Sequence, residues 1–138
     1  MARPAKQRGA EGSGATGLFA YLSVAQGLYY VATALWSLFS IGTFQKVTGP
    51  KTDIWLVKTV GVLVAAIGGA LGVAGYRRME TPEIVLLGAG SAAGLAGIDA
   101  YYAGKRRISA VYGLDALAEL VFLGCWIYVL ARGKRGQR

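Results

Sequence analysis

The chain has 138 residues, 54% of them hydrophobic and 16% charged, with a formal net charge of +8 from fifteen Lys and Arg against seven Asp and Glu. That balance is too apolar for a soluble domain of this size, and the length too short for two domains, so one membrane-embedded unit is predicted. With no His and a single cysteine, Cys125, disulfide frameworks, Cys/His zinc sites, CxxC redox pairs and His-dependent triads are excluded by counting.

In chain order, residues 1–16, "MARPAKQRGAEGSGAT", are small, polar and basic and read as a disordered N-terminal tail. The apolar run that follows is too long for a signal-peptide core, so it reads as a retained first span over 18–41. Three more stretches of bilayer length follow at 55–76, 84–103 and 110–131, each near the ~20 residues a helix needs to cross the hydrocarbon. The expectation is an all-α, integral membrane four-helix antiparallel bundle with short loops, occupying residues 17–132, with a basic tail over 133–138. The first connection holds a Gly-Pro turn, with Asp53 as N-cap of the second helix. "QKVTGPKTD" lacks the spacing of a phosphate-binding loop and reads as a turn. Thr81 caps the third helix with Pro82 at its first position, Gly104 stops it, and Ser109 starts the fourth.

Basic residues divide unevenly: the tails and the second loop carry nine Lys and Arg, and the first and third loops carry five. That bias favours both termini in the cytoplasm of a bacterial inner membrane. The basic residues form no patch with interleaved aromatics, so anionic lipid headgroups are the expected partner and nucleic acid is not. Trp55, Tyr76, Tyr101, Tyr102, Tyr112, Trp126 and Tyr128 fall near span ends, as an interfacial belt requires.

Within the second span Gly61, Ala65 and Gly69 lie four apart, as do Gly68 and Gly72; the third repeats the device with Ala89, Ala93 and Gly97 and with Gly90 and Gly94. Such ridges let backbones close on each other, which predicts tight packing of the second span on the third. Cys125 reads as an inert small apolar residue of the fourth.

The informative residues are ionisable. Tyr112, Asp115, Glu119, Phe122 and Trp126 are spaced 3, 4, 3 and 4, so they share one stripe of the fourth helix. A carboxylate at span centre costs about 2.5–3.5 kcal/mol on insertion scales, so that stripe must face protein. Ser23, Gln26, Tyr30, Thr33 and Ser37 make a matching polar stripe on the first helix, and antiparallel packing brings Tyr30 to the depth of Glu119. Either the Tyr30 hydroxyl or the Gln26 amide can then hydrogen-bond the buried carboxyl. Lys58 and Asp99 lie in the same half of the bilayer, so the candidate binding or proton-linked set is Glu119, Asp115, Asp99, Lys58, Gln26 and Tyr30. Lys58 is expected to pair with Asp99 or Asp115, with Arg106 or Arg107 reaching back to another carboxylate.

The stretches "FQKVTGPKTDIWLVKTVGVLVAAIGG", "LLGAGSAAGLAGIDAYY" and "AVYGLDALAELVF" give the chain a likeness to small four-span bacterial inner-membrane proteins that carry no assigned activity. That resemblance implies the fold and location and brings no functional residues. Size and span number are also similar to the small multidrug transporters, whose coupling Glu lies in the first helix; here that helix has Gln26 and no acid. Four-helix quinone-linked oxidoreductases need paired cysteines.

Two functions follow from these residues. The favoured one is a non-catalytic scaffold or accessory subunit, clasped by buried polar groups and docked on a larger membrane complex or on a second copy. The alternative is a small proton- or cation-coupled transporter or membrane binding protein using Glu119 and Asp115. No nucleophile and base pair or metal-ligand set supports an enzyme, and no cofactor is expected.

Overall fold

The computed structural model describes residues 5–135, with side chains described for Gly14 and for residues 16–135. Five helices follow one another: α1 (Ala5–Phe39), α2 (Ile41–Thr48), α3 (Ile54–Tyr76), α4 (Pro82–Gly104) and α5 (Val111–Arg135). There is no strand among the described residues. Four of the helices are long and apolar enough to cross a membrane, with mean hydropathy of 1.4 over Thr16–Phe39, 2.0 in α3, 1.5 in α4 and 1.8 in α5. At 1.5 Å per residue the 23 residues of α3 or α4 extend about 35 Å, enough for a hydrocarbon core of about 30 Å. Leu63, Leu86, Leu117 and Val121 point outward, the surface that acyl chains would cover.

The expected N-terminal tail lies outside the described residues at 1–4 and coincides with the first part of α1 from Ala5; the apolar portion of that helix begins at Thr16. The expected C-terminal tail lies on the end of α5 up to Arg135 and outside the described residues at 136–138.

Several local expectations are corrected. The first connection is not a simple turn, because α2 occupies most of it. Phe44 and Thr48, one helical turn apart, turn inward while Lys46 and Val47 face out, an amphipathic pattern too short to stand out beside the long apolar runs. Only Ser40 separates α2 from α1, and the backbone bonds Ser40 N–H to Trp36 O (3.0 Å) and Phe44 N–H to Ser40 O (3.0 Å) carry across the break. Gly49, at φ 90°, then ends α2 in a conformation that side chains resist. Asp53 occupies the N-cap position of α3, but its side chain accepts no capping bond. Thr81 does cap α4, accepting from Ile84 N–H at 3.4 Å, with Pro82 behind it.

Gly104 is the last residue of α4 and not its left-handed stop. That conformation falls on Arg106 (φ 55°), with Arg107 N–H donating to Tyr102 O at 3.0 Å and Arg106 N–H to Ala103 O at 3.1 Å. The same double bond closes α3 around Arg78 (φ 54°), through Met79 to Ala74 and Arg78 to Gly75. Both ends are Schellman motifs with arginine where glycine is usual.

Helix pairing also differs from expectation. α3 packs on α1, α4 packs on α5, and α3 and α4 touch only sparsely. The glycine device operates between α1 and α3: a Cβ on Gly27 would lie 2.6 Å from Gly68 O, and one on Gly75 2.9 Å from Ala20 O. Gly61 sits against Ser37 in the same seam, whereas Gly69 meets nothing. On α4 the buried stripe is Gly88, Ala92, Ala96 and Asp99, while Gly90, Gly94 and Gly97 stand open on its outer side. The sequence offered two small-residue ridges per helix, and bulky partners chose between them: Trp126 of α5 needs the hollow at Gly88.

Candidate functional site

The two close pairs, α1 with α3 and α4 with α5, meet where α1 lies against α5, and there the buried polar side chains gather. Trp126 of α5 is wholly buried, not at a membrane surface as its place in an aromatic belt would require. Its indole N–H donates to Gln26 Oε1 at 2.6 Å. The Gln26 amide in turn donates to Gly88 O at 2.9 Å and to the Tyr30 hydroxyl at 3.0 Å, and Tyr30 donates to Glu119 Oε2 at 2.8 Å. An indole nitrogen only donates and a backbone carbonyl only accepts, so the amide can sit one way round. Tyr30 oxygen accepts from Gln26 and donates its own proton to Glu119. The chain of bonds therefore has a fixed direction, from mid-span toward the carboxyl, and each bond polarises the next.

Toward the end of the bundle that carries the first and third loops, the chain of polar groups continues. The half-buried Asp115 accepts from the Tyr29 hydroxyl. Asp99 of α4 lies near Asp115. It is only 7% exposed, and its Oδ2 finds no donor. Two ionised carboxyls are acceptors only, so a bond between them would need a proton on one. Glu119, 1% exposed, completes the group one turn deeper.

Of the predicted set, Gln26, Tyr30, Glu119, Asp115 and Asp99 come together between α1, α4 and α5. Lys58 does not. Its side chain is exposed on α3, which faces α1 and not the carboxyls, so it forms no pair with Asp99 or Asp115. Arg106 and Arg107 are likewise exposed in the loop after α4 and do not reach back. The rest of the polar stripe of α1 serves packing: Ser23 donates to Leu71 O of α3 at 2.6 Å, and Thr33 and Ser37 bond carbonyls of their own helix.

Sequence reasoning missed Tyr29 and the donor role of Trp126. The signal for Tyr29 was present, because positions three and four along from Gln26 face the same way and a stripe traced through Tyr30 alone discards its neighbour. That the Gly88 carbonyl would serve as acceptor had no sequence signal. It depends on the side chain at 88 being absent, which lets the Trp126 ring and the Gln26 amide reach the α4 backbone.

The class defined by this fold and seam is an all-α bundle with four helices long and apolar enough to span a membrane and with acidic side chains between them. Comparison with protein-family models, curated proteins and solved structures finds no match to the chain, so its function is read from the geometry.

Proposed function

We propose that the chain is a proton-linked integral membrane protein in which Asp99, Asp115 and Glu119 form the ionisable element and Tyr29, Tyr30 and Gln26 orient it. The observation that carries this reading is the three neighbouring carboxyl groups with no cation beside them among the described residues: Lys58 is exposed, and Asp99 Oδ2 is buried without a donor. Burying several like charges in a low dielectric is prohibitive unless a proton or another cation joins them. A proton suits the arrangement because, placed on one of two neighbouring carboxyls, it turns a pair of acceptors into a donor and an acceptor. We also read the location as a bacterial inner membrane with both termini cytoplasmic. The excess of Lys and Arg in the tails and second loop supports that orientation.

A scaffold or accessory role is the second reading, favoured by one observation. Gln26 makes three bonds and is wholly buried, as a purely structural clasp would have it.

Infrared difference spectra of the protein in lipid, recorded across a pH titration, test the two. The proposal expects a protonated carboxyl band at neutral pH that weakens in Glu119→Gln and in Asp99→Asn while helicity is unchanged. A spectrum in which all seven acids are ionised at neutral pH overturns it. Co-purification with a stoichiometric larger partner, unaffected by Glu119→Gln, would turn the choice to the scaffold.

A further inference from the structure

Beyond the carboxyl seam, at the end of the bundle, the first and third loops line a cleft of about 560 Å³. Its lining includes the polar Lys51, Thr52, Arg107 and Ser109 and the apolar Leu56 of α3 and Ile108. We propose that this cleft binds the phosphate of an anionic phospholipid, with the start of the acyl chains lying along Leu56.

Unspent donors support the assignment. Lys51 Nζ donates to Thr48 O at 2.9 Å and Gly49 O at 3.1 Å, which fixes the ammonium at the rim and leaves one of its three N–H groups free. The Tyr112 ring centroid lies 5.1 Å from the same nitrogen and holds it from another side. Arg107 is exposed, and its guanidinium has no partner among the described residues. That fork is the group best shaped for two phosphate oxygens at once. Ser109 Oγ accepts from Val111 N–H at 3.4 Å, so its own proton is free to donate into the cleft. Asp53 also lines it and disfavours a multiply charged ligand, which suits a phosphodiester with one negative charge.

Position supplies the rest of the argument. The cleft sits where α3 begins and α4 ends, which for helices crossing a bilayer is the level of the lipid phosphates. A soluble phosphate ester would bring the same charge but nothing to cover Leu56 and Ile108.

The measurement is native mass spectrometry of the full chain released from mixed micelles containing phosphatidylglycerol or diacylglycerol with identical acyl chains. Wild type is expected to retain phosphatidylglycerol and to lose diacylglycerol. Arg107→Gln should retain it roughly tenfold less, the value of one charge-assisted bond, and Arg132→Gln at the other end of the bundle should match wild type. Because Lys51 also ties down the loop, Thr52→Val serves as the second variant and should weaken retention with circular dichroism unchanged. Equal retention of the two lipids, or retention unaffected by Arg107→Gln and Thr52→Val together, overturns the proposal. Displacement of the lipid by millimolar inorganic phosphate would overturn its lipid source and assign the cleft to a soluble phosphate.

Discussion

Two glycines on one helix, two residues apart, offer a sharp measure of how the seam is built. A Cβ added at Gly88 would lie 2.5 Å from Cε2 and 2.7 Å from Nε1 of Trp126, whereas at Gly90 it meets nothing within 4 Å. In Gly88→Ala the indole must move, and it is wholly buried in a T-shaped contact with Phe19, ring centroids 5.8 Å apart. Overpacking of this kind costs about 1–3 kcal/mol. Movement of Nε1 also abandons Gln26 Oε1 inside the bundle, at about 1–3 kcal/mol for the unpaired acceptor. Against both stands the higher helix propensity of alanine, worth about 1 kcal/mol. The expected result is a net loss of roughly 3 kcal/mol for Gly88→Ala from these opposing effects. Gly90→Ala should be neutral or gain up to about 1 kcal/mol. Reversible unfolding in mixed micelles with increasing dodecyl sulfate reads both. In a Trp36→Phe, Trp55→Phe background the remaining indole reports its own surroundings, and its emission should shift red for Gly88→Ala alone. Equal stability of the two alanine variants, with unchanged emission, would refute the packing argument.

The remaining predictions concern charged residues. Lys58→Met, which would unbalance an ion-paired clasp, should change stability by no more than about 0.5 kcal/mol in the same unfolding assay, because Lys58 is exposed and carries no partner. Arg106→Gly, and separately Arg78→Gly, should raise stability by about 1 kcal/mol, since each arginine holds a left-handed backbone that glycine adopts freely. A loss of stability in either glycine variant would show that the arginine side chain holds the helix end together.

The four spans were legible because apolar runs of bilayer length leave few alternatives, and the facing of Tyr30 and Glu119 was legible because both helices carry a polar stripe of the same 3, 4 period. Which helix takes which neighbour was not. Both the α3 and α4 sequences carry small-residue ridges, and such ridges say that a backbone can approach without saying whose. The choice depended on Gly27 in α1, a glycine outside any four-residue repeat of Gly and Ala, and on Trp126, whose ring occupies the hollow at Gly88. The place of Lys58 was misread for a related reason: depth in the membrane can be counted along a chain, but the direction a helix faces depends on its partner. Once α3 turned its glycines to α1, the lysine turned away from the acids with it. The short helix α2 and the arginine-centred ends of α3 and α4 are local backbone choices for which glycine-based reading has no symbol.

Apolar helices in lipid gain little from any one docking over its near relatives, because methyl groups one turn along look much the same. Directional bonds remove that degeneracy. Sliding α5 along α1 by a single turn, about 5.4 Å, would carry Trp126 away from Gln26 and Glu119 away from Tyr30 in one movement. Every misaligned assembly would strand an indole, an amide, a phenol and an acid in hydrocarbon. The seam thus acts as a vernier, admitting a single alignment between two halves that could otherwise glide.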